Sequence, residues 1–414
     1  LVKKLDARGR DAAGIAAGLR RSDGFLSASV RGAARAIVAG VREGGDAALL
    51  DYTERFDGVR PGKLRVPVEE IEHARDSLSA ELAESFACAI ENVRSFHRRE
   101  MERSWEQSRG GATVGQRVRP IRRVGLYVPG GHGAYPSTLV MSAVPAQVAG
   151  VGEIRVCTPP NPDGRADGSV LAVAGLLGLK EVYALGGAQA VGALAFGTET
   201  VRRVDKIVGP GNDFVTAAKL EVFGVVGIDA PQGPSEVMVI ADAGAFPERV
   251  ARDLMAQAEH LSGASAVLLT PSDELLRSVE PLLSGEPSDL ITLVRVQDSA
   301  QAVEISNEYA PEHAHVISED HEAILQNLDA VGMVAIGDFT PVALGDYAAG
   351  PSHALPSGGA AVWASALGTR DFVAHTNYIH YTGEALAEIG PHVERLARLE
   401  GFENHARSVG VRLR

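Results

Sequence analysis

The residues able to do chemistry gather in a few short stretches of this chain. Gln257 and His260 stand three apart in RVARDLMAQAEHLSG, a spacing that puts both on one face of a helix near its carboxyl end. Imidazole and carboxylate groups are ready zinc ligands, and a carboxamide oxygen is a less common one. By spacing alone the pair is a weak metal motif, and two polar residues at a helix end account for it more readily. Asp346 and His353 lie in GDYAAGPSHALPSGG and His405 in the tail, all in short or glycine-rich surroundings. Glu312 and His313 adjoin in SNEYAPEHAHVIS, just before an apolar run, so an acid and an imidazole meet at a strand edge. Two neighbouring proton carriers suit a reaction that needs two separate deprotonations. His315 alternates with His313 and reads as structural.

Neither cysteine has the setting of a nucleophile. Cys157 lies mid-run in EIRVCTPP and Cys88 in a helical stretch, where each reads as a small packing residue. A thiohemiacetal route would need an exposed thiol of low pKa, and the chain offers no good candidate. With two cysteines and no CxxC, a disulfide framework is excluded and a reducing cytoplasm is the expected setting.

The elements that must position these groups change character along the chain. Up to about residue 110 the pattern is helical, with Phe86, Ile90, Val93, Phe96, Met101 and Trp105 along one stripe. From Val124 nine short apolar runs alternate with helical stretches: VGLYV, EIRVCT, EVYALGG, KIVG, EVMVIAD, SAVLLT, ITLVRV, HVIS and MVAIGD. Runs of this kind indicate parallel strands buried on both faces, hence an α/β fold. Nine exceed what one open sheet needs, and glycine- and proline-rich segments bracket the first group. The expected organisation is an α/β domain at 130–233 inserted into another made of 24–129 and 234–370, with helical extensions at 1–23 and 371–414. Pro129 to Gly133, PGGHG, follows a run and precedes a helical stretch, where backbone amides can face an anion. Neither this loop nor GGAQAVGALAFG nor GPGN is a GxGxxG fingerprint, and each serves equally as a tight turn.

Composition narrows the class further. The chain has 414 residues, 45% hydrophobic and 22% charged, with a formal net charge of −13. That balance is globular and disfavours nucleic acid and anionic membrane surfaces as partners. No apolar run reaches spanning length, and the opening LVKKLDARGRDAAG lacks a signal-peptide core.

Taken in order, VGLYVPGG, YPSTLVMSAVPAQVAGV, GGAQAVGALAFGTE, VDKIVGPGN, GPSEVMVIAD, QAEH, ISNEYAPEHA, GDYAAGPSHALPSGG and LEGFENHA resemble the histidinol dehydrogenase family from about residue 24 to the end. The resemblance implies two Rossmann-like domains without the GxGxxG loop, and oxidation of L-histidinol to L-histidine through L-histidinal with two NAD molecules. It implies a zinc ion held by Gln257, His260, Asp346 and His405. These ligands would also meet the substrate, alongside Ser235, His313, His353 and Glu400. Glu312 and His313 become the catalytic pair, and Tyr127, Gln189 and Asn212 the cofactor contacts. It further implies a homodimer whose tails cross, so that Glu400 and His405 complete the other subunit's site. IDAPQGPSEV in place of a Met-x-Ala-Gly run, EHAHV, and His132 in a variable loop depart from the family pattern. They keep one alternative in view: an NAD- and zinc-dependent dehydrogenase of another small alcohol, such as a sulfopropanediol, on the same scaffold.

Overall fold

In a computed structural model, residues 2–20, 26–130, 133–230, 233–260, 263–283, 285 and 288–413 are described. In chain order their strands are β1 (Lys3–Asp6), β2 (Trp105–Arg109), β3 (Ala112–Pro120), β4 (Arg123–Tyr127), β5 (Glu153–Thr158), β6 (Val182–Ala184) and β7 (Lys206–Val208), then β8 (Gly227–Ile228), β9 (Glu236–Ala241), β10 (Ser265–Thr270), β11 (Ile291–Arg295), β12 (His313–Ile317), β13 (Met333–Ile336) and β14 (Val373–Tyr381). All nine apolar runs are strands. They divide between a five-stranded parallel sheet, β6-β5-β4-β7-β8, and a six-stranded parallel sheet, β1-β11-β10-β9-β12-β13.

Burial on both faces explains why these strands read as continuous apolar runs. Along β9, Val237, Val239 and Ala241 pack into one core while Met238 and Ile240 pack into another on the opposite face. In the five-stranded sheet Val124 and Leu126 join one core and Tyr127 joins the core behind. The period of two thus separates two apolar sets, and helices cover both.

Each sheet reverses its strand order once. In the first, β4 leads outward through β5 to β6, after which β7 and β8 add on its other side. The crevice at the carboxyl ends of β4 and β7 is therefore a topological switch point, the usual ligand position in an open α/β sheet. In the second, β9 has β10 on one side and β12 on the other.

Several expectations are corrected. The N-terminal segment is not wholly helical, because Lys3–Asp6 adds to β11 as an edge strand before the helix Ala12–Leu19. The helix carrying Phe86, Ile90, Val93 and Phe96 ends at Arg98, so Met101 lies beyond it and Trp105 opens β2. The C-terminal extension begins with β14, which joins β3 and β2 in an antiparallel sheet before the helices Gly383–Leu399 and Glu403–Gly410. Cys157 is buried in β5 as expected, whereas Cys88 is exposed. No helix among the described residues is long and apolar enough to cross a membrane.

Candidate active site

The six-stranded sheet presents its chemistry at the amino ends of its central strands. His313 pairs with Val237, which sets Glu312 beside Glu236 at the start of β12 and β9. The Glu236 amide donates to Glu312 Oε2 at 2.9 Å, and the Glu312 amide in turn supports the Glu236 carboxyl. Before them, the helix Ser299–Tyr309 is stopped by Ala310, which is left-handed (φ 50°) and donates its amide to Ser306 O at 2.7 Å. A non-glycine residue in that region is a strained turn of the kind that collects near functional sites. It swings Pro311, Glu312 and His313 into the sheet. Gly332 lies alongside, where a Cβ would stand 2.5 Å from the Glu312 carbonyl oxygen.

His313 is hydrogen-bonded through Nδ1 and faces a carboxylate with Nε2. Nδ1 lies 3.2 Å from the Glu236 carbonyl oxygen and 3.6 Å from Glu312 Oε2, and Nε2 lies 3.4 Å from Asp346 Oδ1. Burial lowers its pKa, but the Glu312 and Asp346 carboxylates outweigh this and push it up to about 10. Asp346 sits in the helix Val342–Tyr347, and its backbone oxygen lies 2.8 Å from His353 Nδ1. Burial raises the Asp346 carboxyl, yet His313, His353 and His260 together leave it below the usual carboxylate range. His353 Nε2 meets Thr138 Oγ1 at 3.1 Å, so the helix Pro136–Val148 of the five-stranded half reaches the site. Burial pulls the His353 ring below its ordinary value.

Gln257 lies buried in the last turn of the helix Pro247–Ala258, and exposed His260 follows just beyond it. The interaction of His260 with Asp346 places both at one locality. The Gln257 side-chain nitrogen is buried with no hydrogen-bond partner among the described residues. Ser235 precedes Glu236, and its carbonyl accepts from the Ser265 amide at 3.0 Å. His405 stands elsewhere, exposed on the helix Glu403–Gly410 with its ring 5.1 Å from that of Phe402, and Glu400 is exposed at the end of the preceding helix. Among the described residues no group of three or more His, Cys, Asp or Glu is gathered closely enough to hold a metal ion. His315 is fixed between Asp253 Oδ2 at 2.9 Å and the Gly337 carbonyl at 3.0 Å, a structural setting.

The sequence reading passed over Glu236. It is 5% exposed, accepts from the Tyr309 hydroxyl at 3.2 Å and the Gly358 amide at 3.2 Å, and is pushed up to about 7 by burial first and by Glu312 second. The motif GPSEV presents it only as the first residue of a strand, and its partners come from distant segments. A buried acid at a strand start next to a polar loop is the one local signal.

At the switch point of the other sheet, Tyr127 ends β4 and Asn212 follows β7. The Tyr127 hydroxyl accepts from the Gly187 amide at 3.0 Å, and burial raises its pKa. Asn212 is exposed and caps the helix Asp213–Val222 by accepting from the Val215 amide at 3.1 Å. Gln189, 1% exposed, has neither end of its amide hydrogen bonded among the described residues. Pro129, Gly130, Thr158, Pro159 and Asn161 line a neighbouring pocket at the ends of β4 and β5. Gly131 and His132 of the proposed anion loop lie outside the described residues.

Two parallel sheets with a switch-point crevice lacking GxGxxG, and an acid–imidazole pair facing a second acid, define an α/β protein of Rossmann-like architecture with a candidate proton-transfer site. The chain belongs to the histidinol dehydrogenase family, whose model matches residues 21–413. It is 45% identical over 413 residues to histidinol dehydrogenase of Geobacillus kaustophilus, covering 95% of this chain and 96% of that one. A Synechococcus histidinol dehydrogenase is 45% identical over 394 residues, covering 91% of each. The crystal structure of histidinol dehydrogenase from Elizabethkingia anophelis superposes with a TM-score of 0.93 at 32% identity, covering 100% of this chain and 98% of that one.

Proposed function

We propose that this chain oxidises L-histidinol to L-histidine through L-histidinal in two successive NAD-dependent steps, the last of histidine biosynthesis. The observation that carries the reading is the Glu312–His313 pair wedged between Glu236 and Asp346, on a chain that matches the family along nearly all its length.

The residues divide the proton chemistry. With Nδ1–H directed at the Glu236 carbonyl, the His313 tautomer is set and Nε2 becomes the base that takes the hydroxyl proton. That role needs a neutral ring; Glu312 contributes most of the carboxylate pull on His313, and a cation on Asp346 would remove the share that Asp346 adds. Glu312 has Oε2 engaged by the Glu236 amide and its other oxygen available to activate water for hydration of the aldehyde. Cys157 is buried with its thiol pushed up, so a thiol adduct there is disfavoured and the hydrate is the donor in the second oxidation.

The donor set Gln257, His260, Asp346 and His405 of the partner subunit is one of nitrogen and oxygen ligands that would suit zinc, with Gln257 ligating through its carboxamide oxygen. A zinc ion held there would supply a Lewis-acid anchor for substrate nitrogens, and NAD would supply the hydride acceptor. Tyr127, Gln189 and Asn212 contact the cofactor; Ser235 and His353, together with Glu400 of the partner subunit, orient the substrate. Tail exchange in a homodimer is in keeping with large apolar side chains left exposed on the tail, at Ile379, Leu396 and Leu399, and in the segment around Asp346, at Phe339, Tyr347 and Trp363. The reduced cysteines suit a cytoplasmic enzyme. The direct test compares kcat/KM for histidinol with other small alcohols under NAD and zinc. A preference of at least about a thousandfold is expected, since buried polar groups reject analogues lacking their partners. Equal or better turnover of a sulfopropanediol would overturn the assignment.

A further inference from the structure

Behind the switch-point crevice lies an ion pair that the proposed chemistry does not use. Lys219 is 2% exposed and Asp229 6%. Their side chains form a salt bridge. Lys219 Nζ also donates to the Gly209 carbonyl at 2.9 Å, and the Gly209 amide donates to Asp229 Oδ2 at 2.7 Å. The pair therefore grips one peptide residue from both sides and closes a ring through it.

Gly209 is the residue at which β7 leaves the sheet. Its φ is +120°, and a Cβ there would strike the Tyr127 carbonyl, so β4 and β7 meet backbone to backbone at the crevice. Lys219 and Asn212 belong to the same helix end and interior, seven positions or about two turns apart. Asp229 follows β8 on the far side. Helix, strand and turn are thus tied together at the point from which Asn212 projects. A buried ion pair adds little net stability over an apolar pair of the same size, because desolvation offsets the Coulomb gain. Val215, Ala218 and Val222 already pack this helix into the core. What the pair supplies beyond packing is the conformation of residues 209–212.

We propose that Asp229 and Lys219 are positioning residues for the cofactor: by clamping Gly209 they set the Gly209–Asn212 turn against Tyr127 and so determine NAD affinity. The inference rests on reading Tyr127, Gln189 and Asn212 as the cofactor contacts. Asp229 and Lys219 do not touch the nucleotide themselves.

The test uses the zinc-loaded full-length enzyme carrying Asp229→Asn, and separately the doubly neutral Asp229→Asn/Lys219→Met, which leaves no unpaired buried charge. NAD binding is measured by calorimetry and steady-state kinetics by NADH absorbance. A displacement of the turn by a fraction of an ångström to 1 Å predicts an increase of about 10- to 100-fold in Kd and KM for NAD. KM for histidinol and zinc content should stay within about twofold, a split that a merely structural role does not produce. NAD affinity unchanged in folded variants, with only a lower Tm, overturns the proposal. So does failure of both variants to fold, which would make the pair purely structural. Asn212→Asp, which keeps an oxygen to cap the Val215 amide, separates the two levels of the reading. If it weakens NAD while the clamp variants do not, only the clamp is refuted; if neither has an effect, the crevice is not the cofactor site. Weakened NAD binding in the clamp variants supports the proposal whichever way Asn212→Asp behaves.

Discussion

Glu312 and His313 are neighbours in sequence, and the proposed division of work between them follows from their different surroundings. His313 is wrapped by two carboxylates and a carbonyl, while Glu312 keeps one oxygen unengaged by Glu236. Glu312→Gln should leave the first oxidation within a few-fold of the parent and slow histidinal oxidation by about 10²- to 10⁴-fold, the worth of a positioned base. Stopped-flow NADH formation from each substrate separates the steps, and equal losses contradict the division. Glu236 makes a prediction about stability. Its folded carboxyl is raised from 4.5 to about 7, so the folded state binds its proton more tightly than the unfolded chain. The resulting stability is present below the unfolded value and is lost as pH rises through about 7. Glu236→Gln should therefore gain on the parent by up to about 3 kcal/mol between pH 4.5 and 7.5. Urea denaturation at the two ends of that range checks it, and a pH-independent difference would count against a buried, proton-holding acid. Glu312 and His313 were legible because adjacent acid and imidazole are a local pattern. Glu236 was not, because its environment is made by Tyr309, Gly358 and Glu312, all remote in sequence.

At the scale of elements, the strands read from sequence are those buried on both faces, where composition must be apolar throughout. β1 escaped because KKLD is a short, mostly exposed edge strand, and β2, β3 and β14 because their sheet is largely solvated and carries no continuous apolar run. The helix end that bears Gln257 and His260 was placed by spacing. The left-handed Ala310 that turns Glu312 and His313 into the site left no sequence signature, since alanine ordinarily favours helix. Gly332 is the element-level counterpart. A methyl there would meet the Glu312 carbonyl, so Gly332→Ala should cost about 1–3 kcal/mol in overpacking. Because it displaces Glu312 and His313 together, both oxidations should slow alike, unlike the selective loss in Glu312→Gln. Full stability and activity in Gly332→Ala would show that the β12–β13 junction does not hold the pair.

At the scale of the whole molecule, the Thr138–His353 contact joins the five-stranded half to the end of the six-stranded sheet that carries Glu312 and His313. His405 and Glu400 stand apart from it, on helices whose main packing partners are each other and β14. Residue pattern alone showed the tail only as charged and helical, and its crossing to a partner came from the family resemblance; that it packs chiefly on itself is a property of the fold. Tail exchange predicts complementation. Mixing inactive His260→Asn and His405→Asn chains under subunit-exchange conditions should restore about a quarter of parental activity, as half the dimers would carry one intact site. No recovery would mean that each chain completes its own site. The central claim is a four-electron, NAD-linked oxidation of histidinol dependent on zinc, and the measurement that tests it most directly is NADH formed per histidinol consumed, before and after chelation. The account predicts a ratio of about two, abolished by chelator and restored by zinc, as expected of two hydride transfers at a metal-dependent site. A ratio of about one, or full activity in metal-free enzyme, would contradict it.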